Sequence, residues 1–264
     1  MIKVNKVSIL SLITGILLII FVQFLEMKSI VVLFQPKAII IVLGGTLCAT
    51  FLNFPKNTIL NAFKISCEIF KKQTNDSNKI INEILQIAYF ARKNGLLALN
   101  DVLDELEDPF LKRSIKLAID LNDPQLFNEI MQSQIDYDEE QELISSRVFE
   151  AMGGYAPTFG IIGAVLGLIQ VMSYINEPTL LANGISTAFI ATLYGVGLAN
   201  IIFLPIAGSL KLNLRDKILL KEIIVQGLIS VQTGENPAII EEKLVSYIKF
   251  SDLNQNIKNY SRSD

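Results

Sequence analysis

The chain has no histidine, no tryptophan and only two cysteines among its 264 residues. Without histidine it lacks the side chain that most often serves as a general base or a metal ligand. Cys48 lies in an apolar run and Cys67 in a lysine-flanked segment, so neither a disulfide framework nor a Cys/His metal cluster is expected. Neither a nucleophile-elbow pattern nor a phosphate-binding glycine loop is present. We therefore expect no catalytic residues, no metal, no cofactor and no enzymatic activity, and the net charge of −3 disfavours nucleic acid as a partner.

Apolar residues, in contrast, are abundant. They make up 51% of the chain, and the mean hydropathy of +0.44 is typical of a multi-pass membrane protein surrounded by lipid. A helix rises about 1.5 Å per residue, so roughly 20 apolar residues cross the hydrocarbon of a bilayer. Four uncharged runs are candidate transmembrane helices, the second being the shortest: Val7 to Leu25, Ala38 to Phe54, Gly153 to Ile175 and Ile185 to Ile206.

The segment between spans two and three has a different character. From Lys56 to Arg147 it contains 11 basic and 16 acidic residues, and its apolar residues recur with helical spacing, as at Leu99, Val102, Leu103 and Leu106. Asp108-Pro109 and Asp123-Pro124 are interpreted as starts of new helices. We predict an all-α polytopic membrane protein with four transmembrane helices and a helical cytoplasmic domain inserted between spans two and three. Its predicted divisions are residues 1–55, 56–147, 148–207 and 208–264.

Basic residues are concentrated on one side of the predicted spans, although the short loop between spans one and two contains Lys28 and Lys37. Lysines follow span two, and Lys211, Arg215 and Lys217 follow span four, whereas the loop between spans three and four has none. Because basic residues mark the cytoplasmic side of a membrane protein, both termini and the insert are expected to be cytoplasmic.

Small residues recur along spans three and four. Gly160, Gly163 and Gly167 are spaced by three and four residues, and Gly195 lies on a similar face of span four, so another helix can approach closely. Thr192 is the one hydroxyl on that face of span four. Two interpretations stay open for these residues: helix packing with a back-bonded threonine, or a surface where a partner helix could fit.

The four spans contain no ionisable group at mid-membrane depth. A chain that conducts ions therefore needs a partner to supply the carrier. Pro157 and Pro205 remove amide donors and free the carbonyls of Gly153 and Ile201. They are interpreted either as helix-end signals or as hinges near the cytoplasmic mouths of the two spans.

Four strings resemble the MotA/PomA family of flagellar motor stator subunits. The resemblance covers nearly the whole chain, and the strings occur in the family's order. They are ARKNGLLAL at 91–99, GGYAPTFGIIGAVLGLI at 153–169, STAFIATLYGVGLAN at 186–200 with FLPIA at 203–207, and VQTGENPAIIEEKLVSYI at 231–248.

The resemblance implies an inner-membrane homopentamer around a MotB-like single-span partner with an intramembrane Asp, acting on the rotor protein FliG. It places Pro157 and Pro205 at the family's functional prolines and Thr192 at its channel-facing threonine. Ala164 and Ala191 fall where sodium-driven members tend to carry additional hydroxyls. An alanine offers no oxygen to a dehydrated cation, so we expect the transported ion to be H⁺ rather than Na⁺.

Rotor contact in the resembled family uses an Arg and an acidic residue eight positions later. Arg92 fits the first, but the second position is Asn100. We expect the acidic role to fall on neighbouring residues, namely Asp101, Asp104 and Glu105.

Two other functions stay open from the sequence. The ExbB/TolQ energising proteins have related glycine and proline patterns, although they normally have three spans and an outside N-terminus. A non-motor membrane scaffold or transporter is the other alternative.

Overall fold

The computed structural model describes Thr14, Leu17 and residues 34–67, 77–121, 123–172 and 178–247. Every regular element in these ranges is helical, which confirms the all-α class for the described residues. The α-helices are α1 Pro36–Asn53, α2 Lys56–Ser66, α3 Ser77–Asn94, α4 Pro109–Asp120, α5 Pro124–Met172, α6 Pro178–Gly197, α7 Leu204–Gln232 and α8 at 237–247. A 3₁₀ helix covers Leu96–Glu105, and π-helical segments occupy Ile40–Gly44 inside α1 and Leu198–Phe203 between α6 and α7.

Three helices in the described ranges are long and apolar enough to cross a membrane. They are Pro36–Asn53, Pro124–Met172 and the continuous helical run Gly184–Gln232. These helices contain predicted span two except Phe54, predicted span three as far as Met172, and predicted span four. The first predicted span, Val7 to Leu25, lies outside the described residues apart from Thr14 and Leu17, both helical. The count of four spans therefore stays a prediction.

Both predicted Asp-Pro breaks begin helices, and the structure shows why. The Asp108 carboxylate accepts hydrogen bonds from the amides of Phe110 and Leu111, at 2.8 and 2.9 Å. Asp123 likewise accepts from the amide of Gln125 at 2.8 Å. In each case the aspartate satisfies amides that have no partner within the helix, and the proline that follows needs no donor there.

The described residues form two compact units. The first consists of residues 1–73 and 141–213, and the second of residues 74–140 and 214–264. Most of the C-terminal segment 208–264 thus belongs to the same unit as most of the insert 56–147. The predicted divisions stay predictions.

The first unit has a core built from α2, α5 and the run from the π segment into α7. Phe63 and Phe149 meet edge to face with their ring centroids 5.2 Å apart. Close packing of apolar side chains holds the helices of this core together. The buried members are Ile59, Ala62, Val148, Phe149, Met152, Ala156, Ala199, Phe203, Ala207 and Leu210.

The second unit has a larger apolar core and polar links at its ends. The Gln232 amide donates to the carbonyls of Ala118 and Leu121, both at 2.8 Å, and so satisfies the C-terminal end of α4. The largest fully buried side chains of the second unit include Ile84, Leu99, Leu111, Ile115, Phe127, Met131, Ile135, Ile223, Ile224 and Leu228.

Charged groups of the second unit lie along α5 and α7. Lys221 donates to Asp138 at 2.7 Å, and its ammonium lies 5.3 Å from the centroid of the Phe110 ring. The neighbouring Glu222 lies well beyond the predicted end of span four. Burial raises the pKa of Glu222, and repulsion from Glu139 and Asp136 raises this pKa further.

Candidate functional site

The glycine-rich part of α5 packs directly on α6. A Cβ added to Gly160 would lie 3.0 Å from the carbonyl oxygen of Ala191 and 3.2 Å from the Cα of Gly195. A Cβ added to Gly195 would lie 2.6 Å from the carbonyl oxygen of Ala156. Because backbone atoms form these contacts, neither position has room for a side chain.

The same contact continues along both helices. A Cβ on Gly163 would lie 2.8 Å from the Cβ of Ala191, and one on Gly167 would lie 3.1 Å from the carbonyl oxygen of Gly184. The sequence left open whether these small residues face a partner protein or the chain itself. In the structure they face each other, so this contact has no space for a further helix.

The three predicted channel-lining residues occupy different surroundings. Ala191 is fully buried and packs with Ala38 and Val42 of α1. Thr192 is partly buried, and its hydroxyl donates to the carbonyl of Ala188 at 3.3 Å. This is the back-bonded arrangement that the sequence offered as one alternative. Ala164 is partly exposed on α5. The lining roles of all three residues stay predictions.

Pro157 lies inside α5 and belongs to the helix contact. A Cβ on Gly195 would lie 3.2 Å from the Cα of Pro157. The helix continues through the proline to Met172. A bend at Pro157 would therefore move atoms that touch α6.

Pro205 lies near the start of α7, directly after the π segment Leu198–Phe203. A proline inside an α-helix clashes with the carbonyl four residues earlier, here Ile201, and this carbonyl belongs to the π segment. The wider π turn gives the proline ring room without ending the helix. Within the segment, the Asn200 side chain donates to the Val196 carbonyl at 2.9 Å.

The π segment of α1 was not predicted. It packs Val42 against Ile190 and Ala191 of α6. The Thr46 hydroxyl donates to the Val42 carbonyl at 2.6 Å, and so satisfies an acceptor next to the irregular turn. No proline accompanies this segment, so the sequence carried no signal for it beyond its glycines.

A polar contact that the sequence did not suggest joins the start of α1 to α6. The Gln35 backbone amide donates to the Tyr194 hydroxyl at 3.4 Å, and the Thr187 hydroxyl donates to the Gln35 side chain at 3.5 Å. Further polar contacts lie at the other end of the spans. Glu150 of α5 forms an ion pair with Lys211 of α7.

The predicted rotor-contact residues lie in the second unit. Arg92 is exposed in the last turn of α3, and Asp101 is exposed in the 3₁₀ helix, which also contains Asp104 and Glu105. Gly95 separates the two helices with a φ of 87°, a value that favours glycine. The rotor-contact assignments stay predictions.

The sequence did not predict the ion pair between Lys79 and Glu107 of the second unit. Lys79 donates to Glu107 at 2.8 Å, at the edge of a groove of about 380 Å³ whose apolar lining includes Ile87 and Phe90. The hydrogen bond with Lys79, reinforced by its charge, lowers the pKa of Glu107, and the same bond raises the pKa of Lys79. Over the described parts of the chain, no three Cys, Asp or Glu residues are grouped so as to hold a metal ion.

Comparison with known proteins identifies relatives of this helix arrangement. Residues 102–223 match the MotA/TolQ/ExbB proton channel family. YtxD of Bacillus subtilis is 37% identical over 207 residues, which cover 78% of this chain and 76% of YtxD. Motility protein A of Bacillus subtilis is 30% identical over 249 residues, covering 94% and 92% of the two chains. Chemotaxis protein PomA of Vibrio alginolyticus is 30% identical over 241 residues, covering 91% and 94%.

Two solved structures have a similar fold. The flagellar MotAB stator complex from Bacillus subtilis contains a chain that superposes with a TM-score of 0.86 at 30% identity, covering 95% of this chain and 99% of that chain. A chain of C. jejuni MotAB superposes with a TM-score of 0.86 at 27% identity, covering 92% and 95%. The chain therefore belongs to the MotA/TolQ/ExbB proton channel family, on its MotA-like branch.

Proposed function

We propose that this chain is a flagellar stator subunit of the inner membrane that, with a MotB-like partner, couples inward proton flow to torque on the rotor. The observation that carries the proposal is the likeness to the Bacillus subtilis MotAB stator complex over 95% of the chain at 30% identity. A stator subunit conducts ions and transmits force, and we infer no enzymatic activity and no cofactor.

The partner is needed for a physical reason. The described parts of the predicted spans, residues 38–53, 153–172 and 185–206, contain no Asp, Glu, Lys or Arg. An ion crossing hydrocarbon needs a group that replaces its hydration, so a carboxylate must come from another chain. We infer a single-span partner with an intramembrane Asp, enclosed by a ring of five copies of this subunit.

The direction of the chain in the membrane follows from its charges. Lys56 and Lys64 come directly after the span in α1, and Lys211 follows the span that ends near Pro205. We infer four spans, with both termini and the insert in the cytoplasm. There, Arg92 and the acidic residues of the 3₁₀ helix are placed to contact FliG.

We infer that the transported ion is H⁺. Ala164 and Ala191 provide no side-chain oxygen. The described hydroxyls nearest to them in sequence, those of Thr158 and Thr192 respectively, both donate to carbonyls of their own helices. Swimming speed should fall with an uncoupler and stay constant when external sodium is varied. A sodium-dependent speed would refute the choice of ion without touching the stator assignment.

Deleting the gene tests the function directly. We expect cells with filaments of normal number and length, seen by electron microscopy, that do not rotate. Normal swimming would point either to a second stator set or to an energising subunit of another envelope complex, as in ExbB and TolQ. Removing the second set separates these two explanations.

The prolines provide a second test. Replacing Pro157 or Pro205 by alanine is expected to abolish rotation in tethered cells while membrane levels of the protein stay normal. The matched control is Pro109→Ala, which changes a proline at the first position of α4, where no hinge is expected. Rotation in both hinge variants would contradict the hinge role.

A further inference from the structure

Glu150 and Lys211 form an ion pair where the uncharged parts of two helices end. The next residues of α5, as far as Met172, contain no Asp, Glu, Lys or Arg, and neither do the described residues from Pro178 to Leu210 along the other helical run. In the described chain, the pair is therefore the first charged site beyond the uncharged parts of these two helices.

Glu150 differs from the charged groups around it. In the described part of the first unit the only carboxylates are Glu142 and Glu150, whereas Lys56, Arg147 and Lys211 are basic. Glu142 lies eight residues earlier in α5, about 12 Å further from the membrane at 1.5 Å per residue. Glu150 is thus the carboxylate closest to the apolar part of α5.

The exposure of the pair suits transfer to water. The side chain of Glu150 is 40% exposed and that of Lys211 is 45% exposed. A carboxylate that lies at the end of the apolar run and is partly exposed can exchange a proton with water.

We propose that Glu150 is the exit site of the channel, with Lys211 as its positioning residue. This inference rests on the proposed function. The partner's carboxylic acid loses its proton through water to the Glu150 carboxylate, so an O–H bond breaks on the donor and another forms on Glu150. Neutral Glu150 loses its attraction to Lys211, passes the proton to cytoplasmic water, and pairs again once it is ionised.

The test measures proton influx per assembled complex in cells that express the subunit together with its partner. Glu150→Gln keeps the shape of the side chain but removes the acceptor, and should lower influx roughly a hundredfold. Glu150→Asp should keep most of the influx. Lys211→Gln should change influx by less than about fivefold, since a partly exposed ion pair contributes little.

The matched control is the pair of Lys221 and Asp138, which also joins α7 to α5 but lies in the second unit. Asp138→Asn should leave influx unchanged. If Glu150→Gln accumulates poorly, Glu150→Asp can be compared with Glu150→Asn at matched membrane levels. This comparison serves the same purpose because only the aspartate keeps a carboxylate that can accept a proton.

Three results would overturn the proposal. Equal losses in Glu150→Gln and Lys211→Gln, with recovery in the charge-swapped double variant, would show that the pair only clamps two helices. Wild-type influx in Glu150→Gln would place the exit elsewhere and leave the stator function standing. No influx through the wild-type complex would instead remove the proposed function, and with it the exit site.

Discussion

Replacing Gly195 by alanine probes the contact between α5 and α6 where the two backbones approach most closely. The new Cβ would lie 2.6 Å from the Ala156 carbonyl oxygen, whereas ordinary contacts of a Cβ begin near 3.4 Å. The two helices would therefore have to separate by about 0.8 Å at this point. Because the obstructing atoms belong to the backbone, a change of side-chain rotamer cannot relieve the clash.

The magnitude follows from two opposing effects. Overpacking of a close contact costs about 1–3 kcal/mol. Alanine favours the helix over glycine by up to about 1 kcal/mol, which offsets part of that cost. We expect a net loss of about 1–2 kcal/mol, which for a chain of this size lowers the melting temperature by about 2–8 °C.

Gly197 provides the matched control, because it lies two residues further along α6 and a Cβ there would meet nothing within 4 Å. Gly197→Ala should keep or raise the melting temperature, since only the helix preference acts. The assay is thermal unfolding of the purified complex in detergent, with both variants measured at one protein concentration. Equal melting temperatures for the two variants would refute the reasoning from the helix contact.

Three further substitutions test other parts of the fold. Gly45→Ala should destabilise the complex because its Cβ would lie 2.1 Å from the Phe159 ring, whereas Gly44→Ala should not; adding Phe159→Ala should restore the melting temperature of the first variant. Gln232→Glu should cost about 1–3 kcal/mol, since it turns a donor shared by two carbonyls into an acceptor, and Gln232→Ala should unfold at a higher temperature than Gln232→Glu. Because the pKa of Glu222 is raised, the folded chain binds a proton on this carboxyl more tightly than the unfolded chain does. Ionisation of Glu222 therefore destabilises the fold, and this lost stability is recovered as the pH falls through the raised pKa. Glu222→Gln should therefore raise the melting temperature at neutral pH and flatten its dependence on pH, and an unchanged pH profile would contradict this account.

The sequence located three long apolar helices and the starts of α4 and α5 because the causes of these features are local. An uncharged run of sufficient length predicts a span wherever it folds. An aspartate before a proline caps a helix through amides only two or three residues away, as Asp108 and Asp123 do. These features depend only on residues that are close in the sequence, so they can be predicted without knowing which distant residues come into contact.

The lengths of the helices were harder to predict. α5 runs from Pro124 to Met172 and α7 from Leu204 to Gln232, although charged and apolar stretches alternate along both. Polarity changes where a helix leaves the membrane, but its hydrogen bonding does not have to change there. The segment Leu96–Glu105 shows the converse. Its leucines and Val102 indicated a helix, and their frequent spacing by three residues suits the 3₁₀ form that the structure has.

The partners of the glycines also required the structure. Spacings of three and four residues indicate that a helix approaches, but not which helix. Here Gly160 and Gly195 pack α5 against α6 of the same chain, and Ala191 is buried against α1. A further helix therefore has no space between α5 and α6 at these glycines. Contacts with another chain are not specified by a pattern within one sequence.

The two predicted hinge prolines both lie close to the packed pair of α5 and α6. Pro157 lies in the contact with Gly195, so a bend of α5 at this proline displaces α6. The helical run that contains α6 changes to a π segment just before Pro205, where the backbone is already widened. π-helical segments inside α-helices are frequent at functional sites. We therefore expect a movement that begins at Pro157 to pass through the glycine contact into α6, and the irregular segment before Pro205 to absorb it.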